Sequence, residues 1–162
     1  GQSVGAELDE KEVDLAISAV SDATPKFQIV LLRRHKAHLA SARNDIDAAV
    51  NALAGNVGSF EQLDVTQAEY LGRFLKNSST YDRGGRVLEE LSIAHPRSVD
   101  ICISRAGWLG ERHEYAPAIE IYERCNAMEA IGMEQAIYVG AQVAVLKAYK
   151  EKQVGKKSKK RR

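Results

Sequence analysis

Four histidines and two cysteines are the side chains of this chain of 162 residues best suited to metal, acid–base or thiol chemistry. His35 and His38, in RRHKAH, are three apart and share one side of a helix. Two imidazoles without a third ligand make a weak metal site, so both read better as solvated helix residues. His95 precedes Pro96 in a turn and His113 lies beside a hairpin turn, each without an evident acid or base partner. Cys102 and Cys125 are too few and too widely spaced for a disulfide framework or a CxxC metal site. They are expected as buried free thiols, which favours a reducing compartment. Asn77-Ser78-Ser79 satisfies the glycosylation sequon, but it falls in a predicted turn of a chain read as intracellular and is discounted. No phosphate-binding glycine loop, HExxH, GxSxG or EF-hand pattern is present. The sequence therefore predicts no catalytic residue, no metal and no cofactor, and reads as non-enzymatic.

With so little chemistry, the elements themselves carry the reading. A hydrophobic fraction of 44% with 28% charged residues is ordinary for a globular domain with a real core. Only three prolines, with long stretches rich in Ala, Leu, Glu and Lys, favour helix over strand. Neither a membrane-length apolar run nor a signal-peptide core is visible, since the N-terminus GQSVGAELDEKEVD is polar and acidic. The terminal GKKSKKRR holds six cations, more than the whole net charge of +1, which leaves −5 on residues 1–155. Lys156, Lys157, Lys159, Lys160, Arg161 and Arg162 thus form a basic, solvated tail over 152–162, suited to nuclear import or nucleic-acid contact.

One stripe organises the chain. In HEYAPAIEIYERC, Tyr115, Ala118, Tyr122 and Cys125 follow helical spacing, and 34 residues earlier Tyr81, Gly84, Leu88 and Leu91 repeat it in register. Small residues recur at Ala16, Ala49, Gly84 and Ala118. A preceding helix in each hairpin should bring its own small residue twelve positions earlier, where the backbones meet; Ala37, Gly72 and Ala106 stand there, and a step of 22 forward from Ala118 reaches Gly140 on the next such helix. The pattern predicts helices over 11–23, 27–42, 46–55, 62–77, 81–94, 98–112, 115–127 and 131–151, with Asp45, Asp64 and Ser98 as start signals and a break at Pro96.

This lattice resembles the tetratricopeptide repeat (TPR) family, through its period near 34 residues, Leu71-Gly72, Ala118 with Tyr122, and Pro96. Arg33, Ala68, Cys102 and Ala136 stand where that family carries an early Trp. The resemblance implies an all-α fold, a right-handed superhelical solenoid of antiparallel hairpins with about eight helices. Behind a flexible segment 1–10, a repeat domain over 11–151 would comprise units near 27–60, 61–97 and 98–130, flanked by half-units 11–26 and 131–151. Tyr115 and Tyr122 read as wedge-filling residues with polar tips. The last helix, apolar on nearly every side, should be covered by further repeats, another copy of the chain, or a partner.

By the same resemblance, the concave surface is lined by the first helix of each hairpin. Its positions here are Arg34, His38, Thr66, Glu69, Tyr70, Arg73, Lys76, Asn77, Ile103, Ser104, Gly107, Glu111, Ile137, Tyr138 and Ala141. The early part is basic and polar, the later part small and apolar with Val145, which suits a peptide or amphipathic helix with acidic residues at one end and apolar anchors at the other. The implied function is a cytoplasmic, or with its tail nuclear, protein-interaction scaffold within a larger complex. The alternatives are a ribonucleoprotein component acting through the tail, and the repeat region of a larger enzyme such as a transferase. One TPR subclass clamps the C-terminal carboxylate of chaperones with Lys, Asn and Arg. Glu69, Arg73, Ser104, Glu134 and Tyr138 occupy those places, so a peptide ending in the chaperone sequence is expected to show no saturable binding by titration. Micromolar affinity would overturn that exclusion.

Overall fold

The computed structural model describes residues 8–55, 59–77 and 82–161. Among them are eight α-helices and no strand: α1 Glu10–Ser18, α2 Lys26–Ala42, α3 Ile46–Ala54, α4 Val65–Asn77, α5 Asp82–Ala94, α6 Val99–Glu111, α7 Tyr115–Asn126 and α8 Met133–Lys160. Helices pack as two compact units, residues 1–57 and 58–162, where the periodicity alone predicts a single repeat domain. In the first, α2 packs on α1 and α3; in the second, α6 lies on α4, α5 and α7, and α8 packs on α7.

The predicted start signals act as caps. The Asp45 carboxylate accepts the Ala48 N–H at 3.0 Å, Asp64 that of Thr66 at 2.9 Å and Ser98 that of Ile101 at 3.3 Å, each satisfying an amide that the first turn leaves unpaired. The first helix stops at Ser18, five residues short of the predicted end, because local side chains compete for its backbone. Thr24 Oγ1 accepts the Ser21 N–H and Ser21 Oγ accepts the Ala23 N–H, folding the segment before Pro25 into a turn. The last helix runs nine residues beyond the predicted end at 151, so the basic segment is helical as far as Lys160.

Two hairpin turns share one backbone solution. Asn44 after α2 and His113 after α6 adopt left-handed φ values of 64° and 62°. In both, the following amide reaches back to the helix: Asp45 N–H to Ala40 O at 2.9 Å, and Glu114 N–H to Leu109 O at 3.0 Å. The residues themselves bond Ser41 O and Gly110 O, completing the same six-to-one and five-to-two pattern.

Small residues occupy the hairpin interiors as the lattice requires. Ala37, Ala49, Ala106 and Ala118 are fully buried, and Gly72 and Gly84 are buried too. Ala16 is half-buried. Gly140 departs from the set: it is exposed, and a Cβ there would meet nothing within 4 Å. No helix follows α8 to pack over it among the described residues. The stripe Gly84, Leu88, Leu91 is buried, as is Tyr115, Ala118, Tyr122, Cys125, whereas Tyr81, Ser78 and Ser79 lie outside the described residues.

The cysteines correct the sequence reading. Cys102 on α6 and Cys125 on α7 form a disulfide across the hairpin, with their Cα atoms 5.8 Å apart. A separation of 23 residues looks distant only until two antiparallel helices fold it back on itself. The support that free thiols lent to a reducing compartment is thereby removed. Closing a loop of this length is expected to contribute about 3 kcal/mol. Reductant should lower the denaturation midpoint accordingly, and identical midpoints with and without it would show that the bond contributes nothing.

A pair of glycines tests the packing separately. A Cβ on Gly85 would sit 2.5 Å from the buried Trp108 ring, whereas one on Gly72 meets its nearest atoms at an ordinary 3.7 Å. Gly85→Ala is expected to destabilise by about 1–3 kcal/mol, and Gly72→Ala to be neutral or stabilising by up to about 1 kcal/mol. Chemical denaturation distinguishes them, and the reverse order would contradict this packing.

Candidate binding cleft

Within the second unit, helical spacing lines up one face on each of three helices. Val65, Glu69 and Lys76 share a face of α4, as do Asp100, Gly107 and Glu111 on α6, and Gln135, Tyr138, Gln142, Val145 and Tyr149 on α8. Two hollows open on these faces. One of 490 Å³ lies at the helix starts, lined by Val65, Glu69, His95, Ser98, Asp100 and Gln135 among others. The other, of 360 Å³, lies where the same faces reach Lys76, Glu111 and Tyr149. From Gln135 to Tyr149 the face of α8 runs about 21 Å, the length of about six extended residues.

Polar groups at the first hollow are occupied by one another. The Ser98 hydroxyl donates to Glu69 Oε1 at 2.9 Å, the Gln135 amide donates to Asp100 Oδ1 at 2.9 Å, and His95 Nε2 bonds the Phe60 carbonyl at 2.8 Å. Arg73 reaches the other oxygen of Asp100 at 3.4 Å. These bonds tie α4, α6 and α8 together at one end.

The second hollow is different in kind. Gly107 and Gly110 lie beneath it, and the room their missing side chains leave is taken by the Lys76 stem and by Leu146. A Cβ on Gly107 would stand 2.9 Å from Lys76 Cε. Four tyrosines line it: Tyr115 and Tyr122 from α7, Tyr138 and Tyr149 from α8. Tyr115 stacks on Tyr149 with ring centres 5.8 Å apart, and its hydroxyl is 2.6 Å from His113 Nδ1. Lys76 Nζ and Glu111 Oε1 pair at 3.8 Å, so the charge at this end is balanced.

Burial pushes the Tyr122 hydroxyl well above the usual phenol range, reinforced by Tyr138, through charge and a hydrogen bond, and then by Glu111. Tyr122 is therefore a neutral phenol at any physiological pH, a fixed hydrogen-bonding group rather than a base. Among the described residues no cluster of three or more His, Cys, Asp or Glu is placed to hold a metal ion. His35 Nε2 bonds the Leu8 carbonyl at 2.9 Å, three residues from the exposed His38.

The positions expected for a groove divide accordingly. Glu69, Lys76, Gly107, Glu111 and Tyr138 line the hollows, and Arg73 stands between them, paired to Asp100. Ser104 is buried, 3.7 Å from where a Gly72 Cβ would be, and Ile103 packs against the core that α6, α7 and α8 share. Tyr70 is half-buried, and Thr66 and Asn77 are exposed. Ile137 and Ala141 are exposed and line neither hollow. Arg34 and His38 belong to the first unit. The early cations do not form a free basic surface, since Arg73 and Lys76 each meet a carboxylate. Gly110, His113, Tyr115, Tyr122, Gln142, Leu146 and Tyr149 line the second hollow outside the positions expected for a groove, although the three-and-four spacing from Gln135 to Tyr149 is legible in the sequence.

Comparison with protein-family models, curated proteins and solved structures finds no match in any of the three. No helix among the described residues is long and apolar enough to cross a membrane.

Proposed function

We propose that the chain is a TPR-like helical-repeat module, non-catalytic, that holds a short segment of a partner protein along the faces of α4, α6 and α8. The observation that carries this reading is the tyrosine-walled hollow at one end of those faces. Tyr138 and Tyr149, exposed there, offer rigid contact area with little side-chain entropy to lose, backed by the buried Tyr115 and Tyr122. The balanced Lys76–Glu111 pair at its edge suits a polar tip on a side chain of that segment rather than a run of like charges. The identical turn geometry at Asn44 and His113, and the buried small residues twelve apart in α2–α3 and α6–α7, support a repeated hairpin. A scaffold of this kind works as an adaptor in a larger assembly.

The test is selection of peptides from a random display library on the full chain, then titration of an enriched peptide by fluorescence anisotropy. Tyr138→Ala is expected to weaken binding about tenfold or more while leaving the circular dichroism unchanged. Failure to enrich any sequence over blank beads, or equal affinity for Tyr138→Ala, would remove the reading.

One observation favours a second reading. The exposed basic residues Lys156, Lys157, Lys159, Lys160 and Arg161 stand at the end of a helix, able to follow a phosphate backbone. Nucleic-acid binding of this origin would be steeply salt-dependent and lost on deletion of 156–162, while peptide binding would survive the deletion.

A further inference from the structure

The face of α8 that points away from α7 carries Met133, Ile137, Gly140, Ala141, Ala144 and Ala148, all exposed, Met133 at 81% and Ile137 at 67%. Successive spacings of four, three, one, three and four keep them on one stripe, opposite the buried Val139 and Leu146. The stripe is symmetric about the midpoint between Gly140 and Ala141. Reversing it end to end sets Met133 over Ala148, Ile137 over Ala144 and Gly140 over Ala141. Each large residue then faces a small one, and the smallest pair falls at the centre, where two helix axes approach most closely.

We propose that this stripe is the interface of a homodimer, in which α8 packs antiparallel against α8 of a second copy across a two-fold axis. A two-fold interface must be self-complementary, and this stripe meets that condition in size and in charge. Glu134 and Lys152 flank it on the same side, and both are exposed. Helical side chains lean toward their own N-terminus, so across an antiparallel pair Glu134 leans toward Lys152 of the second copy, and the contact occurs twice. A parallel pair would instead set Met133 on Met133 and Lys152 on Lys152. On the opposite side, Lys147 is held within its own chain by Glu123 at 3.4 Å and stays clear of the stripe. The tyrosine-lined face is a different side of α8, so the dimer leaves that hollow open, and this proposal stands independently of the peptide-binding reading.

One helix pair is at the small end of specific interfaces, so dissociation in the micromolar range is expected. The experiment is sedimentation velocity of the full chain over a concentration series up to about 200 µM, a range that brackets such an affinity. The 17.8 kDa chain is expected to approach twice its mass, and Gly140→Arg, at a position with open space around it, to remain monomeric with unchanged circular dichroism. Glu134→Lys and Lys152→Glu should each weaken the dimer about fivefold, and the double variant should recover wild-type affinity. A monomer throughout the series would overturn the proposal, as would a dimer indifferent to Gly140→Arg. Single reversals without effect, or a double variant that fails to recover, would overturn it as well.

Discussion

Close approach of paired helices is the constraint on which the remaining structure depends. Two backbones lie closest where the side chains between them are small, and Ala37 on α2, Ala49 on α3, Ala106 on α6 and Ala118 on α7 are all fully buried in packed helix pairs. Once the hairpin axes are fixed by those contacts, the larger residues one turn away have their places assigned. Tyr122, Leu88 and Leu91 fill what the small residues leave between helices, and Gly107 and Gly110 let the Lys76 stem and Leu146 lie close against α6. Loss of apolar area at the glycines is offset by the dispersion contacts that close packing permits elsewhere.

Helix positions were legible because capping and periodicity are local. Asp45, Asp64 and Ser98 announce their helices in the sequence and perform that role in the structure. The errors came where a local signal was overridden or was too weak to see. Ser21 and Thr24 end α1 early through bonds to the backbone that compete with helix, and α8 continues through Gly155 and its lysines to Lys160, where cations in the last turn complement the helix dipole.

The faces that line the two hollows were legible only in part. Periodicity names which residues share a side, but which side faces a neighbour depends on how the helices rotate when they pack. Tyr138 lines the second hollow, whereas its neighbours Ile137 and Ala141 face outward. Charge was misread for a related reason: Arg73 and Lys76 look free in sequence because their partners, Asp100 and Glu111, lie 27 and 35 residues away. The cysteine pairing is hidden in the same way, since helical hairpins make neighbours of residues that spacing rules treat as remote.

That disulfide has a mechanical meaning as well. Gly107, Gly110, Glu111, His113, Tyr115 and Tyr122 all fall between Cys102 and Cys125 in the chain. A pull applied through the ends of the protein passes from one sulfur to the other and bypasses the segment between them. While the bond is intact, α7 and the part of α6 that borders the hollow add nothing to the extension, whatever happens to the helices on either side.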